Sequence, residues 1–189
     1  MTTTSSKSGP FGLISKIFIK VGVLPFFLLG ALVIFTALSS KFLTGQNLVN
    51  VGRQSVYLVL VSMGQMLVLI SGGFDLSVGT AIALTSVVSA LGMVWAAGIF
   101  PDAIWLAILI GAFMGFGAAL LVGFVNGVGV AYFDVSPFIM TLGVSSVGGG
   151  LALFLTGGVP VSGLPFAFGD TFGFARLWGI PVPVIIALF

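Results

Sequence analysis

The side chains that could carry out chemistry in this sequence are few, and all four acidic residues are aspartates: Asp75, Asp102, Asp134 and Asp170. Histidine and cysteine are absent, so a Ser-His-Asp hydrolase, a thiol nucleophile and a zinc site built from His or Cys all lack their parts. The sequence also has no Gly-x-x-x-x-Gly-Lys-Ser/Thr phosphate loop, so it does not bind ATP in that manner by itself. We therefore expect no catalytic residues, no metal site and no cofactor. Any energy for work must come from a partner or a gradient.

Asp75 is the acidic residue whose surroundings suggest a role. It lies in the stretch Ser71–Thr80, SGGFDLSVGT, after two adjacent glycines and between two apolar runs. One interpretation is helix capping, in which the carboxylate accepts hydrogen bonds from the free N–H groups that open the next helix. The other adds a part in a transport pathway, because an ionisable group near membrane depth is costly unless it faces protein or water. The two interpretations are compatible, and the sequence leaves both open.

Other polar side chains lie inside apolar runs. Gln65 interrupts one run, and Thr141 and Ser145 lie in another that begins at Ser136-Pro137. A serine followed by proline is typical of a helix N-cap and the first helical position. The polar groups predict either hydrogen bonds between helices or the lining of a path for a polar solute.

The elements that must position these residues are membrane-spanning helices. Apolar residues make up 59% of the chain and charged residues 5%, and the mean hydropathy is +1.32. Soluble domains carry about 25% charged residues, so this composition cannot cover a water-facing surface. We predict an all-α integral membrane protein, a polytopic helix bundle with about five full spans and the start of a sixth.

The predicted spans follow the uninterrupted apolar runs. They are Val21–Leu38, Ser55–Ile70, Val78–Gly98, Ala103–Val125 and Phe138–Leu155, with a sixth run from Ile180 that is still apolar at Phe189. Polar or turn-forming breaks separate them at Ser71–Ser77, Phe100–Asp102, Asn126–Pro137 and Gly157–Trp178. Ten residues cannot span a bilayer, so the chain is expected to be cut short, to be a fragment, or to be completed by a partner.

The first run is expected to be an uncleaved anchor. A cleaved signal peptide is the alternative, since Ala37-Leu38-Ser39 resembles a cleavage site, but the run exceeds the usual signal core of about 7–15 residues. Lysines in residues 1–20 predict a cytoplasmic N-terminus. The break around Asp75 and the break Asn126–Pro137 would then lie inside, and Asp102 and the break Gly157–Trp178 outside.

The fourth apolar run carries a stripe of small residues every fourth position. This spacing favours close helix contact, because lipid gives no hydrophobic drive between helices and small side chains let backbones approach. We therefore expect helix packing at Gly111, Gly115, Ala119, Gly123 and Gly127.

Three stretches taken together are similar to one family: LISGGFDLSVG from Leu69, FVNGVGVAYFDVSPFIMTLG from Phe124, and LTGGVPVSGLP from Leu155. They resemble the membrane permease of bacterial ATP-binding-cassette importers for simple sugars of the ribose, xylose and arabinose type. The resemblance covers roughly Gln54 to Val184, in order and with its spacing intact. Carried over residue by residue, the family motif falls on Gly72, Gly73, Asp75, Leu76, Ser77, Gly79, Asn126, Gly127, Pro137, Phe138, Thr141, Leu142 and Gly143. All of these positions except Phe138 and Leu142 are the candidate translocation-pathway or motif residues.

The resemblance implies a permease subunit that translocates a simple sugar by alternating access. It implies three protein partners: a cytoplasmic ATP-binding subunit that hydrolyses ATP, an extracytoplasmic sugar-binding protein, and a second permease copy. It also implies the lipid bilayer of the bacterial plasma (inner) membrane and no nucleic acid. Residues 1–20 would be a cytoplasmic basic segment and residues 21–189 the N-terminal part of one permease domain. The loop that docks the ATPase is expected after the sixth helix, so coupling to ATP is open for the chain as written.

Two positions depart from the family pattern. Gly148 stands where relatives commonly have arginine, so no role of that arginine is carried over, and Phe74 replaces a more usual isoleucine.

Two other functions stay open. One is an ion-coupled secondary transporter or channel in which Asp75 binds a cation at glycine-broken helices. The other is a truncated scaffold that inserts into the membrane but does not couple to an ATPase.

Overall fold

A computed structural model describes residues 19–20 and 22–187 of the chain. The structure divides into two compact units, residues 1–51 and residues 52–189. Most of the predicted basic segment 1–20 lies outside the described residues, as do residue 21 and the end of the sixth apolar run, residues 188–189.

The first unit contains helix α1, Leu24–Leu38, which has 15 residues. The predicted span Val21–Leu38 was too long at its start, because Gly22 has a φ of +80° and Val23 precedes the helix. Pro25 lies in the first turn, where its missing N–H costs nothing. At 1.5 Å per residue, α1 is about 22 Å long, shorter than a hydrocarbon layer of about 30 Å.

Helix α2, Gly45–Ile70, begins ten residues before the predicted Ser55. The polar residues at its start suggested a loop, but Arg53 has a protein partner that hydropathy does not reveal. Its guanidinium donates a hydrogen bond of 2.6 Å to the carbonyl of Gly173 and lies 5.3 Å from the centre of the Phe174 ring. A charge satisfied in this way can lie in a helix that continues into the apolar run.

Three long helices follow: α3, Val78–Ile99; α4, Ile104–Ala131; and α5, Pro137–Thr156. Helix α3 packs most extensively on α4 and also contacts α5. Helices α2 to α5 are each long and apolar enough to cross a membrane, and α1 is a shorter apolar helix. The prediction of an all-α polytopic membrane protein is confirmed, with four such helices among the described residues.

Helix α4 extends six residues beyond the predicted end at Val125. The predicted break Asn126–Pro137 was too long because Asn126 is a buried helical residue, only 9% exposed, whose side chain bonds to protein. The connection to α5 is therefore residues 132–136. Ser136 occupies the N-cap position of α5 with Pro137 in the first turn, but its side chain makes no capping hydrogen bond.

The small residues of α4 diverge in their surroundings. A Cβ at Gly111 would collide with Met93 and lie 2.6 Å from the carbonyl oxygen of Ser89, and one at Gly115 would lie 2.8 Å from Ser89 Cβ. A Cβ at Gly123 or Gly127 would meet nothing within 4 Å, so the expected close packing is not made there by the described residues. A four-residue step turns about 400° on a helix of 3.6 residues per turn, so the stripe moves off the packed face. Ala119, in the middle, is half-buried.

The segment after α5 was predicted as a long break followed by a sixth helix. It contains a short helix α6, Phe166–Phe168; a π-helical segment, Gly169–Phe174; a hairpin of β1, Arg176–Leu177, and β2, Ile180–Pro181; and helix α7, Val182–Ile186. The sixth run thus starts as a strand with only a short helix in its described part. Trp178 and Gly179 form the hairpin turn, both with positive φ. Pro181 is the last strand residue, since proline has no N–H to continue the pairing.

Candidate functional site

The three sequence stretches that share the family motif include two that meet at one cavity. The end of α2, the connection between α2 and α3, the C-terminal part of α4 and the first two turns of α5 line a partly open cavity of about 330 Å³. Its lining residues are Val68, Ser71, Gly72, Gly73, Phe74, Asp75, Gly123, Asn126, Gly127, Val130, Pro137 and Thr141. Ten of the twelve come from the first and second motif stretches, and Val68 and Gly123 directly precede those stretches. The third stretch begins in the last two residues of α5 and does not contribute to this lining.

The glycine pair allows the chain to leave α2 sharply. Gly72 has a φ of +83°, a conformation that residues with a Cβ rarely adopt, and its N–H donates to the carbonyl of Leu69 at 3.0 Å. The N–H of Gly73 donates to Val68 at 3.0 Å. A Cβ at Gly73 would lie 3.3 Å from the Val68 side chain and 3.5 Å from Pro137, so this position is tight as well. The turn therefore brings the following residues against α5.

Asp75 is half-buried and bonds to the residue at the start of α3. One carboxylate oxygen, Oδ1, accepts hydrogen bonds from the backbone N–H of Ser77 at 2.7 Å and from the Ser77 hydroxyl at 2.6 Å. Ser77 is the N-cap residue of α3, so the negative charge lies beside the positive end of the helix dipole. This geometry matches the capping interpretation and leaves the pathway interpretation available.

Asn126 links α4 to the same network. Its Nδ2 group donates a hydrogen bond of 2.7 Å to Ser77 Oγ, so Asn126, Ser77 and Asp75 form one continuous chain. Ser77 is 1% exposed. The carbonyl oxygen of Asn126, Oδ1, is buried and has no hydrogen-bond partner among the described residues.

Thr141 and Gln65 hold the loop from two other helices. Thr141 on α5 accepts the N–H of Leu76 at 3.1 Å and donates to Pro137 O at 2.7 Å. Gln65 on α2 donates to the carbonyl of Asp75 at 3.3 Å, and its own carbonyl oxygen is buried without a partner in the described part of the chain. The loop is thus tied to all four long helices that surround or contain it.

Not every predicted residue lines the cavity. Leu76 and Ser77 lie at the end of the α2–α3 connection and are not in the lining, and Gly79 lies on the first turn of α3. Gly143 lines a separate, apolar cavity of about 430 Å³ beside Leu84 and Val144. Phe138 and Leu142 are exposed.

Sequence reasoning missed Val68, Ser71, Phe74 and Val130 as lining residues, and it assigned Gly123 only to helix packing. A usable signal existed for Val130, because residues 123, 126, 127 and 130 follow the i, i+3, i+4, i+7 spacing of one helix face. Val68 and Ser71 lie in the last turn of α2 and the residue after it, where only the direction of the chain after Gly72 decides what they face.

The cavity lining is mostly apolar, with a few polar side chains from Ser71, Asp75, Asn126 and Thr141. Asp75 is the one charged residue in the lining that the described residues provide, and its Oδ1 atom is already hydrogen-bonded. Within the described ranges, no three His, Cys, Asp or Glu side chains come close enough to hold a metal ion. The arrangement therefore places a small number of hydrogen-bonding side chains in the cavity lining.

A family model described as "Branched-chain amino acid transport system / permease component" matches residues 47–178, which include all three motif stretches. The chain belongs to this family of permeases. No solved structure gave a significant match.

Curated relatives of this chain are named for D-allose, ribose and autoinducer 2. It is 39% identical over 165 residues to the D-allose transport system permease protein AlsC of Escherichia coli, a match that covers 86% of this chain and 48% of that protein. It is 38% identical over 154 residues to the ribose import permease protein RbsC of Bacillus subtilis, covering 81% and 45%. It is 33% identical over 164 residues to the autoinducer 2 import system permease protein LsrD of Escherichia coli, covering 83% and 46%. The chain thus spans about half the length of the curated relatives it matches.

Proposed function

We propose that this chain forms part of the permease subunit of an ATP-binding-cassette importer that moves a simple sugar across the bacterial inner membrane by alternating access. The observation that supports this most is the meeting of two separate motif stretches at one cavity within a helix bundle, whose mostly apolar lining includes the polar side chains of Asp75, Asn126 and Thr141. The names of the relatives point to the same class of system.

The charge of the cavity supports a neutral, hydroxylated solute. The family description refers to branched-chain amino acids, whose zwitterions carry an ammonium and a carboxylate that both need partners when they leave water. The described lining offers no lysine or arginine to pair with the carboxylate of such a zwitterion. A sugar needs only hydrogen-bonding groups, which the lining supplies.

The proposed partners are a cytoplasmic ATP-binding subunit, an extracytoplasmic sugar-binding protein and a second permease copy. The chain has no phosphate loop, so ATP hydrolysis belongs to the ATP-binding subunit. We place the N-terminus in the cytoplasm because of Lys7, Lys16 and Lys20. The cavity at the α2–α3 turn then lies toward the cytoplasmic side of the bundle.

The test is uptake of radiolabelled D-allose and D-ribose by cells that carry the importer, with and without an inactivating change in the partner ATPase. Loss of uptake without ATPase activity supports the proposal. Uptake that persists on an ion gradient alone would instead support the secondary-transporter alternative. Failure of the chain to co-purify with the ATPase would support the non-coupling scaffold.

A further inference from the structure

The side-chain carbonyl oxygen of Asn126, Oδ1, is a buried hydrogen-bond acceptor in the candidate site that has no donor among the described residues. The residue is 9% exposed and lines the cavity, and its Nδ2 group is occupied by Ser77. Its Oδ1 atom has less than 1 Å² of accessible surface and no partner among the described residues. Buried carbonyl oxygens are almost always hydrogen-bonded, so an exception inside a candidate site calls for a functional account.

The orientation of this amide follows from the chemistry of its neighbours. An ionised carboxylate only accepts hydrogen bonds, so the Ser77 hydroxyl must donate its single proton to Asp75 at 2.6 Å. Ser77 Oγ can then only accept from Asn126 at 2.7 Å. The Asn126 group facing Ser77 must therefore be the NH₂ group, and Oδ1 must point away from this network. Asp75 thus sets the direction of the amide through Ser77.

The surroundings of Asn126 leave room for a solute. Gly123 and Gly127, one turn before and one residue after it on α4, both line the cavity, and a Cβ at either would meet nothing within 4 Å. A solute can therefore approach the helix backbone on either side of Asn126. Within the four-residue stripe of α4, these two glycines do not take part in the close contact with α3.

We propose that Asn126 Oδ1 accepts a hydrogen bond from one hydroxyl of the transported solute, and that Asp75 and Ser77 are positioning residues that hold the amide in this orientation. This inference rests on the proposed function, since it names the contact that a sugar makes at that site. The oxygen is covered in the present conformation and becomes a contact when the cavity opens around the solute. A contact made in one conformation and absent from another lets the solute shift the balance between them.

The experiment uses the assembled importer in lipid nanodiscs and two series of probes: D-allose and D-ribose, each with analogues that lack one hydroxyl. Sugar affinity is read from thermal protection of the assembly and, separately, from the KM of uptake. For the wild-type chain, removal of one particular hydroxyl should weaken affinity about tenfold, which is the loss expected for one hydrogen bond. In Asn126→Ala, the parent sugar and that analogue should bind equally.

Ser145→Ala is the matched control for this comparison. It removes the hydroxyl that lies 2.9 Å from Thr80 between α3 and α5, outside the cavity lining. The variant loses a polar group from a helix contact, as Asn126→Ala does, but it leaves the proposed acceptor in place. It should keep the wild-type discrimination between the parent sugar and the analogue.

A second variant keeps the test decisive if Asn126→Ala does not assemble. Ser77→Ala leaves Asn126 in place but removes the acceptor that orients it, so discrimination against the same analogue should fall to about threefold or less. Sugar protection of the wild-type assembly with unchanged discrimination in the variants would overturn this inference and leave the proposed function standing. The inference also fails if Asn126→Ala lowers stability equally with and without sugar, which is the outcome for an amide that serves only another protein segment. No sugar protection in the wild type would overturn both.

Discussion

At the scale of single residues, the candidate site is organised by one carboxylate. Asp75 accepts two hydrogen bonds from Ser77, and Ser77 accepts one from Asn126 on another helix. The Asp75 carboxylate therefore has two effects. It accepts hydrogen bonds at the start of α3, which stabilises the helix, and through Ser77 it sets the orientation of the buried Asn126 amide. The two effects can be separated by substitution.

We expect Asp75→Ala to lower the free energy of unfolding by about 1–2 kcal/mol, because it leaves the Ser77 N–H and hydroxyl without their acceptor. Asp75→Asn keeps a carbonyl oxygen at the same place and should cost less than half of that. Thermal unfolding in detergent measures both, and Asp102→Asn in an exposed loop is the control that should be neutral. An Asp75→Asn variant of normal stability whose uptake no longer depends on an ion gradient would contradict a purely positioning role and favour ion coupling.

The hydrogen bonds of the candidate site differ in whether they can be predicted from the sequence. A hydrogen bond between Asp75 and the start of the next helix is predictable, because its partner is two residues away. The bond from Asn126 to Ser77 joins residues 49 apart in the chain. It depends on the rotation of α4 relative to α3, which no local pattern in the sequence specifies. For the same reason Asn126 was placed in a loop, although its amide is buried and bonded.

At the scale of elements, contact between α3 and α4 depends on where the small residues fall on the packed face. The four-residue repeat in α4 was visible in the sequence, but the neighbouring helix uses only its first part at close range. The structure makes the difference between two glycines on one helix testable.

Gly111→Ala should destabilise the protein by about 1–3 kcal/mol, because its Cβ would lie 2.6 Å from the Ser89 carbonyl oxygen, a backbone atom that cannot rotate away. Gly117→Ala is the matched control on the same helix, since its Cβ would meet nothing within 4 Å. It should be neutral or stabilising by up to about 1 kcal/mol through helix propensity. Unfolding midpoints of the two variants in the same detergent provide the comparison. Equal midpoints would contradict the close approach of α3 and α4.

The π-helical segment Gly169–Phe174 contacts the neighbouring helices α6 and α7 and is also bound by one distant side chain, that of Arg53. Arg53 donates to the Gly173 carbonyl at 2.6 Å and lies over the Phe174 ring. Arg53→Gln should speed amide hydrogen exchange in residues 169–175 about five- to thirtyfold, since it removes a charge-assisted hydrogen bond and a cation–π contact together worth about 1–2 kcal/mol. Arg53→Lys should retain part of the protection because it keeps the charge. Exchange in α5 is the internal control and should not change.

Helix boundaries were the least predictable feature of the elements. Hydropathy placed the start of α2 at Ser55 because polar residues precede it, and it ended α4 at Val125 because Asn126 follows. In both cases the polar side chain finds a partner on a distant segment, which removes the reason for the backbone to leave the helix. The limits of α3 and α5 were predicted within one or two residues, since glycine, proline and serine at their ends act locally.

At the scale of the whole molecule, the second unit has two distinguishable ends. One end carries the α2–α3 turn and the connection 132–136, which meet at the candidate cavity. The other carries the α3–α4 connection and the segment that follows α5. In the proposed orientation, the cavity end faces the cytoplasm and the ATP-binding subunit, and the other end faces the sugar-binding protein.

The absence of cysteine from the sequence allows this orientation to be measured with single introduced thiols. Asp102→Cys and Ser162→Cys lie in exposed connections at one end, and Tyr132→Cys lies at the other, where the native side chain is 81% exposed. We expect a membrane-impermeant maleimide to label positions 102 and 162 in intact spheroplasts and position 132 only after permeabilisation. The reason is that each of α3, α4 and α5 is long and apolar enough to cross the membrane once, so the connections alternate in side. The reverse pattern would place the cavity toward the sugar-binding protein. Labelling of all three positions from one side would contradict the crossing of both α4 and α5.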